Sequence, residues 1–436
     1  MKLTLLRPNL GDWRSSDALP PLGLAALAAR TPKDVAIRFI DDTQETPPAN
    51  DSPDLAAISV ETFTARRAYQ LAAAYRARGV PVVMGGYHAT LLPDEVVQHA
   101  DAVVVGDAEG AWEALLTDFR SGTMQSRYHG DHSRPLDDVA FDRSLFAGRR
   151  YAPVEPVQYG RGCRFACDFC SIRSFYGNSL RLRPLDRVVE EMRGFTRHKL
   201  VFFVDDNLFS SRAGLDALLT AIGPLKLRWS CQISIDVARD DALLARMAAA
   251  GCIFVLVGFE SLSDANLKQM GKPWNRVAGD YRDVVRRFHD HGMAVYGTFV
   301  FGYDGDTLDD IRRSLDFALE AHLEIANFNP LTPTPGSPLY ERLLREGRLL
   351  LPRWWLDSNF RYGDPIFVPR HMDPQAFAAA CYQAKRDFYA LSSITRRVLG
   401  SEAGLSPFRT GMVLLTNLIS RREVRRKQCR ALGAPA

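Results

Sequence analysis

Cysteine is scarce in this chain: seven occur among 436 residues, and three of the seven fall within eight consecutive positions. An odd number spread in this way does not form a disulfide framework, so we expect a reducing compartment, the cytoplasm. Outside the cluster the cysteines are scattered, and three of the remaining four are predicted to be buried structural thiols, namely Cys231, Cys252 and Cys381.

The sequence also has no long apolar run and little excess charge. It contains no stretch of about 18 apolar residues that could span a bilayer, and the apolar run at residues 2–6 is too short for a signal peptide. A formal charge of +4 is small beside 55 basic and 51 acidic side chains, which argues against a nucleic-acid partner. The length of 436 residues indicates two or three globular domains.

The clustered cysteines have the spacing Cys163-x3-Cys167-x2-Cys170, with Phe169 just before the third. A structural zinc ion needs four ligands, usually from two separate knuckles, and a fourth is missing here. A [4Fe–4S] cluster suits three cysteines, because they hold three irons and leave the fourth open to a small molecule. The spacing therefore predicts a cluster on these three cysteines. The alternatives are three unrelated thiols or half of a zinc site.

This motif resembles the signature of the radical S-adenosylmethionine (SAM) superfamily, including the glycines at positions 160 and 162. The resemblance implies that the open iron chelates the amino and carboxylate groups of SAM. Reduction of the cluster then splits the sulfonium to give a 5′-deoxyadenosyl radical. An external electron donor such as flavodoxin or ferredoxin is implied as a partner.

Strand-like and helix-like segments alternate in the first part of the chain. Apolar runs at 35–40, 55–60 and 80–84 predict buried strands, and residues 64–78 predict a helix between two of them. This alternation is typical of a doubly wound parallel sheet, in which ligands bind beyond the carboxyl ends of the strands.

Residues 1–125 resemble the Rossmann-like, cobalamin-binding domain that precedes the SAM domain in one large radical SAM subgroup. The resemblance covers about the first 115 residues and includes Pro20-Pro21-Leu22-Gly23 and Val105-Gly106-Asp-Ala-Glu109. It implies cobalamin as a second cofactor. The implied cobalamin contacts lie in two loops at strand ends: Ser59, Thr62, Thr64, Gly85, Gly86 and His88.

The histidine that coordinates cobalt in many cobalamin domains has no counterpart here, because Thr-Gln-Glu-Thr follows Asp41-Asp42. We therefore expect cobalamin to bind without a histidine on the cobalt, and Trp13 is a candidate to cover its lower face. Two interpretations stay open for His88: a cofactor contact, or a loop histidine that caps a neighbouring turn.

Residues 126–152 lack periodicity and are rich in Ser, Gly, His, Asp and Pro, which predicts a linker between domains. His129 and His132 lie in this range. A solvated linker is favoured over a metal-binding pair, because no further ligand is near in sequence.

Residues 153–345 resume the alternation. Strands are predicted at 154–159, 200–204, 228–234, 253–258, 294–300 and 324–329, and helices at 185–196, 211–222, 240–250, 277–291 and 306–321. Five or six repeats are too few for a closed eight-stranded barrel. They suit an open (β/α)6 partial barrel, the fold that the radical SAM resemblance implies, with its chemistry at the carboxyl ends of the strands.

The resemblance implies SAM contacts at these strand ends. Asp205 and Asp206 follow the second strand and would approach the methionine amine of SAM, because a carboxylate suits an ammonium group. The alternative is that one of these acids caps the next helix, and capping could be the whole role of Asn207.

Four further SAM contacts are implied with less specificity. Glu260 would accept the ribose hydroxyls, adenine would lie along the strand that bears Gly302, and Gln232 and Ser234 would be polar contacts. The alternatives are a plain surface acid and a glycine that eases packing. Lys272 matches a position usual in the subgroup, although a helix-terminal lysine is the default interpretation.

Residues 346–436 predict a mostly helical C-terminal region, with helices at 373–390 and 392–420. The tail from Arg421 to Arg430 is basic and follows several leucines, so it could lie on an anionic membrane surface; an ordinary solvated helix end is favoured. Five aromatic residues before the helices are expected to cap the barrel or to line a substrate pocket: Trp354, Trp355, Phe360, Tyr362 and Phe367.

The sequence thus predicts a radical SAM enzyme, and cobalamin-dependent methyl transfer to a small molecule or lipid is the first hypothesis. Two alternatives use the same cluster without cobalamin: a cyclase, as in the anaerobic porphyrin cyclases, and an aminocarboxypropyl transferase. An alternative of another class is a non-enzymatic iron–sulfur regulator. The sequence assigns no catalytic side chain.

Overall fold

The computed structural model describes residues 1–14, 19–177, 179–196, 199–275, 280–399 and 406–433. Within these ranges, two six-stranded parallel sheets are followed by a helical region. The predicted α/β architecture is confirmed: a Rossmann-like doubly wound domain, then a partial (β/α)6 barrel, then C-terminal helices.

The first sheet contains β1 (Lys2–Arg7), β2 (Ala36–Asp41), β3 (Leu55–Ser59), β4 (Val82–Gly85), β5 (Ala102–Val105) and β6 (Arg127–His129). Its helices are α1 (Leu22–Arg30), α2 (Ala65–Arg76), α3 (Tyr87–Leu91), α4 (Pro93–Val96) and α5 (Ala111–Ser121). The strand order is β2-β1-β3-β4-β5-β6. Because the order turns back between β1 and β3, the loops after these strands diverge and leave a crevice.

Eight strands follow: β7 (Val154–Val157), β8 (Gly160–Arg161), β9 (Arg181–Leu182), β10 (Leu200–Phe203), β11 (Trp229–Ile233), β12 (Cys252–Glu260), β13 (Ala294–Phe301) and β14 (Ile325–Pro330). The second sheet has the order β14-β13-β12-β11-β10-β7, and β8 pairs with β9 outside it. Its strands are nearly continuous apolar runs, because both faces of a parallel sheet are covered. The sheet is open, since β7 and β14 are its two edges.

The second sheet is accompanied by α6 (Ser171–Tyr176), α7 (Leu185–Arg193), α8 (Arg212–Ile222), α9 (Asp241–Ala249), α10 (Asp264–Gln269), α11 (Tyr281–Asp290) and α12 (Leu308–Glu320). The C-terminal region contains α13 (Pro338–Arg345), α14 (Pro374–Phe388), α15 (Leu391–Leu399) and α16 (Pro407–Lys427). Where the structure describes the chain, no helix has both the length and the apolar character needed to cross a membrane.

Two segments differ from the predicted pattern. The predicted helix over 392–420 is two helices, because α16 starts anew at Pro407 with Ser406 as its N-cap. Residues 400–405 lie outside the described residues, as do 276–279 at the start of the predicted helix 277–291.

The predicted linker over 126–152 is more ordered than its composition suggests. It begins with β6, which pairs with β5, and it continues with the short 3-10 helix Arg143–Phe146. A three-residue strand is too short to show an alternating pattern in sequence. His129 is exposed on β6, and the described residues include no cluster of His, Cys, Asp or Glu suited to a single metal ion.

The aromatic segment before α14 packs between the parts of the chain. Trp354, Trp355, Phe360 and Phe367 are each at most 1% exposed. Trp354 contacts Phe63 of the first domain at a ring-centroid distance of 4.6 Å. Trp354 therefore joins the first domain to the C-terminal region, a role that the sequence did not predict, whereas Phe360 and Tyr362 line a cavity, one of the two predicted roles.

Candidate active site

The three clustered cysteines lie in the loop between β8 and α6, at the carboxyl edge of the second sheet. Cys167 is buried, and Cys163 and Cys170 are partly exposed. The loop is held from outside, because the Asp168 N–H donates to the Met270 carbonyl at 3.1 Å and the Asp168 carbonyl accepts the Leu339 N–H at 3.0 Å. Its shape is therefore fixed by the polypeptide itself.

Asp205 and Asp206 stabilise this loop through its backbone. The Asp205 carboxylate accepts the N–H groups of Tyr159 (2.9 Å) and Gly160, and Asp206 accepts the Gly162 N–H at 2.8 Å. Burial raises the pKa of Asp205 to about 7 and that of Asp206 to about 6, although these hydrogen bonds oppose the shift. Both acids therefore stabilise the backbone of the cysteine loop, and their contact with the SAM amine stays a prediction.

Asn207 connects the ends of the neighbouring strands β10 and β11. Asn207 caps the following turn by accepting the Phe209 N–H, as one alternative predicted, and it also accepts the Ser234 N–H at 3.0 Å. Its amide lies 3.8 Å from the Cys163 sulfur and 3.2 Å from the Ser234 hydroxyl. Gln232 donates to the Asp206 carbonyl at 2.9 Å. Four of the predicted SAM-contact positions are therefore hydrogen-bonded to the cysteine loop or to its neighbours: Asp205, Asp206, Gln232 and Ser234.

Glu260 ends β12 in a left-handed conformation (φ 61°) that is uncommon for residues other than glycine. Its Oε1 accepts the Lys272 ammonium at 2.8 Å, and both side chains are buried. Burial lowers the pKa of Lys272, but Glu260 and the cluster thiols outweigh this effect and raise it overall. Lys272 is therefore a buried partner of Glu260, which the helix-terminal interpretation did not foresee.

Gly302 has a structural reason to be glycine. Its φ is 111°, and an added Cβ would lie 2.5 Å from the Phe367 ring and 3.1 Å from Phe377. The Asp306 carboxylate accepts its N–H at 2.8 Å. The packing alternative is therefore present in the structure, and the proximity of Gly302 to adenine remains a prediction.

The cysteine loop suits an iron–sulfur cube better than a single ion. Burial raises the pKa of Cys167 to about 12 and also raises that of Cys170, and iron that binds the thiolate form would offset this cost. No three described His, Cys, Asp or Glu side chains converge on one point. A cube bound through three different irons does not require such convergence.

The cysteine loop is also tied to the first domain by a buried ionic cluster. Arg161 donates to both carboxylate oxygens of Glu109 (2.7 and 3.0 Å) and to Asp107 at 3.1 Å. Arg181 donates to the other oxygen of Asp107 at 2.6 Å, and His132 lies 3.3 Å from the same oxygen. Sequence reasoning missed this cluster. Its only signal was an acid pair at a strand end and an arginine beside the cysteines.

The first predicted cobalamin loop follows β3 and borders the switch point of the first sheet, and the second follows the neighbouring strand β4. Their members Ser59, Thr62, Thr64, Gly85 and Gly86 are all partly exposed there. Gly86 must be glycine, because its φ is 101° and an added Cβ would lie 2.9 Å from the Val60 carbonyl oxygen. Small residues here let the backbone approach a large ligand closely, so these positions fit a corrin cofactor.

The second of these loops packs close to the cysteine loop, because the ring of Tyr87 at the start of α3 lies 4.5 Å from that of Phe175 on α6. Glu61 follows β3 with an exposed side chain, yet the protein atoms around it raise its pKa to about 7. Burial also raises the pKa of Tyr87, with further contributions from the charges of Asp206, Glu61 and Cys170. Groups from the first domain and from the cysteine loop therefore act on the same tyrosine.

His88 lies in the core below these loops, and its predicted contact with cobalamin stays a prediction. Its side chain is completely buried, and its two ring nitrogens lie 3.2 Å from the Thr62 hydroxyl and 3.1 Å from Glu95. Trp355 packs on its ring at 5.6 Å. With both nitrogens occupied, His88 is a core histidine that links the first domain to the C-terminal region.

Trp13, the candidate for the lower face of cobalamin, follows β1 at the same edge of the sheet. Its indole N–H is buried and has no hydrogen-bond partner in the described part of the chain. The Arg430 guanidinium lies 5.8 Å from its ring centre.

A cavity of about 380 Å³ opens beside the third cysteine. Its walls come from all parts of the chain: Phe63 from the first domain, Phe169 and Cys170 from the cysteine loop, Asn329 from the end of β14, and Lys385 from α14. Its volume is within the range of small-molecule sites. The predicted buried thiols Cys231, Cys252 and Cys381 are confirmed as buried, and Cys381 also lines this cavity.

Comparisons with known proteins agree with this geometry. The family model of the radical SAM superfamily matches residues 157–318, and that of the B12 binding domain matches residues 16–116. The bacteriochlorophyllide d C-12(1)-methyltransferase of Chlorobaculum tepidum is 31% identical over 392 residues, which cover 87% of this chain and 85% of that protein. The hopanoid C-2 methylase of Rhodopseudomonas palustris is 28% identical in an alignment 445 positions long, which covers 92% of this chain and 80% of that protein.

A solved structure shows the same fold. The radical SAM methyltransferase TsrM from Kitasatospora setae, with cobalamin and a [4Fe–4S] cluster bound, has a TM-score of 0.70 over 98% of this chain and 99% of that chain, at 16% identity.

A three-cysteine loop at the mouth of a partial barrel, facing the switch point of a doubly wound domain, defines a radical enzyme with a second cofactor domain. The chain belongs to the radical SAM superfamily, in the group that carries a B12-binding domain. The cofactors of these families are a [4Fe–4S] cluster, SAM and cobalamin, and the residues at both sites fit them.

Proposed function

We propose that this protein is a cobalamin-dependent radical SAM methyltransferase that acts on a small molecule or a lipid. The observation that carries the proposal is the cavity lined by both Cys170 and Phe63. One residue belongs to the cluster loop and the other to the loop that follows β3 in the cobalamin domain, so a molecule bound there touches both cofactor sites. The relatives named above are named for methylation of bacteriochlorophyllide d and of a hopanoid.

When bound, the cluster with SAM supplies a radical and cobalamin supplies a methyl group. The protein's own residues supply placement. Asp205 and Asp206 hold the cysteine loop, and we assign Glu260 to the ribose hydroxyls because Lys272 fixes its carboxylate at the strand end. Phe63 and Phe169 exclude water from the cavity, which protects a radical from side reactions.

Labelled SAM tests the proposal. The reconstituted enzyme is given SAM labelled in the methyl group, in the adenosyl group or in the aminocarboxypropyl group, together with candidate acceptors. Methyl label in the product, accompanied by 5′-deoxyadenosine, is the expected result. Transfer of the aminocarboxypropyl label, or product without any label, would replace the proposal by one of the cobalamin-independent alternatives. No SAM cleavage at all would leave the iron–sulfur regulator.

We further propose that cobalamin binds with no histidine on the cobalt. The support is that His88 has both ring nitrogens occupied within the core. Protein produced with cobalamin available should retain it through purification. Its EPR spectrum in the cobalt(II) state should show no nitrogen superhyperfine splitting, and a split spectrum would reject the assignment.

An external flavodoxin or ferredoxin is proposed as the electron donor, because Cys163 and Cys170 keep accessible surface. A cytoplasmic location is proposed on the ground that all seven cysteines are unpaired thiols.

Contact with an anionic membrane surface is proposed for α16. Leu414, Leu415 and Leu418 are 41%, 52% and 42% exposed on this helix, and Arg422 and Arg425 follow one and two turns later. Apolar and basic side chains on one helix suit the interface of an anionic bilayer. Sedimentation with anionic but not with neutral vesicles is the expected result, and equal recovery with both kinds would exclude it.

A further inference from the structure

The cavity beside Cys170 contains a cation that the proposed mechanism does not use. Lys385 lies on α14 one turn beyond Cys381 and Tyr382 and two turns beyond Ala378, and all four residues line the cavity. In the part of the chain that the structure describes, the Lys385 ammonium makes no hydrogen bond and no ion pair.

The carboxylates near this lysine are already engaged. Asp364, on the cavity wall, accepts the Arg361 N–H at 2.7 Å. Asp306, which lies near Cys381, accepts the N–H groups of Gly302 and Tyr303 at 2.8 and 3.0 Å. In the described part of the chain, neither acid forms an ion pair with Lys385.

The surroundings make this charge costly. Burial lowers the pKa of Lys385, and the positive charge of Lys427 adds to that effect while Cys381 opposes it. Lys385 keeps some accessible surface at the cavity wall, but a cation largely enclosed by protein and without a partner is destabilising, and perturbed groups of this kind are concentrated at functional sites. An anion delivered into the cavity would relieve this cost.

The remaining walls restrict what that anion can be attached to. Phe63, Phe169, Leu331 and Ile366 give the cavity a largely apolar lining. We propose that Lys385 recognises a single oxyanion, a carboxylate or a phosphate, at one end of an otherwise apolar substrate. This inference rests on the proposed function, because it takes the cavity to be the substrate site. A lysine ammonium is a compact charge without the bidentate geometry of arginine, so it can donate hydrogen bonds to either oxyanion.

Binding of small probes tests this inference without turnover. The holoenzyme, reconstituted with cluster and cobalamin, is titrated with octanoate, octyl phosphate and octanol, and binding is followed by ligand-observed NMR. The wild type should bind one or both anions more tightly than the alcohol. Lys385→Met should weaken anion binding about tenfold to a hundredfold, and Lys385→Arg should restore most of it. Comparison of octanoate with octyl phosphate tells which oxyanion the site prefers.

Lys427→Met is the matched control, because Lys427 is a neighbouring cation that does not line the cavity. It should leave anion binding close to that of the wild type. Equal binding of octanoate and octanol by the wild type, or equal losses in the two methionine variants, would overturn the inference. Far-ultraviolet circular dichroism and iron content establish that each variant is folded and loaded. If anion binding depends on Lys385 but no methyl group is transferred, the inference stands and the proposed function fails.

Discussion

The two parallel sheets of this protein have the same number of strands but present their carboxyl ends differently. The first sheet turns back between β1 and β3, so its loops part and leave a crevice. The second sheet runs in one direction from β7 to β14, and the ends of its strands surround one mouth. One arrangement suits a large ring laid along an edge, and the other suits a cluster held at a centre.

Acidic side chains at the two edges also do different work. In the second sheet, Asp205 and Asp206 accept backbone N–H groups and so shape the cysteine loop. In the first sheet, Asp107 and Glu109 accept guanidinium groups of the second domain. Strand-end carboxylates therefore fix a loop in one domain and fix the orientation of the domains in the other.

The largest expected effect is loss of the cofactor at the second sheet without loss of the cofactor at the first. Replacing Cys163, Cys167 or Cys170 by Ala should remove the [4Fe–4S] cluster and abolish reductive SAM cleavage, because each thiolate holds one iron. Cobalamin retention should survive, since its loops lie on the other sheet. Iron and sulfide content and 5′-deoxyadenosine formation measure these outcomes, with exposed Cys429→Ala as the control. SAM cleavage by a triple variant would refute the cluster assignment.

The second prediction concerns the tie between the domains. Arg161→Met should lower the free energy of unfolding by about 3–5 kcal/mol, because it leaves the buried Asp107 and Glu109 with much of their charge uncompensated. Denaturant unfolding of the apoprotein measures the loss. Arg193→Met is the control, since its pair with Glu190 is exposed and contributes little. A similar small loss in both variants would show that the cluster does not hold the domains together.

The alternation of strands and helices, and the cysteine loop itself, could be predicted because they depend on local patterns. The contacts between domains could not: Arg161 is 52 residues from Glu109, and Trp355 is 260 residues from Glu95. Nothing in hydrophobic periodicity encodes such pairs. For His88, a glycine-rich loop suggested a ligand contact, and its burial by Trp355 and its bond to Glu95 could not be foreseen.

The third prediction uses the other connection between the domains. Burial alone would raise the pKa of Glu95, but hydrogen bonds from His88, Trp355 and Tyr69 dominate and lower it to about 2. A lowered carboxyl pKa stabilises the fold fully above the unfolded value of about 4.5. That stability disappears as the pH falls through about 2, and it amounts to about 3 kcal/mol.

Glu95→Gln removes the ionisable group and should remove this pH dependence. Thermal unfolding is measured between about pH 6 and about pH 2, a range that includes the folded and the unfolded pKa of Glu95. The difference in stability between wild type and variant should shrink as the pH falls. Glu341→Gln serves as the control, because Glu341 is an exposed glutamate on α13. A constant difference between Glu95→Gln and the wild type across this range would mean that Glu95 does not carry the lowered pKa.

The smallest effect concerns SAM at the barrel mouth. If Glu260 accepts the ribose hydroxyls, Glu260→Gln should weaken SAM binding by about 1–3 kcal/mol, because charge-assisted hydrogen bonds become neutral ones. Lys272 holds only Oε1 of this carboxylate, so Oε2 is the atom expected to meet the ribose. The cluster should remain, since none of the hydrogen bonds described for the cysteine loop involves Glu260.

Lys272→Met sharpens the same test, because it removes the group that orients Glu260 but leaves the carboxylate. SAM affinity, measured by equilibrium binding to the cluster-loaded protein, should then fall by less than in Glu260→Gln. The reverse order would mean that Lys272 itself is the contact and Glu260 only its partner. Unchanged affinity in both variants would remove this pair from the SAM site and leave it a structural role at the end of β12.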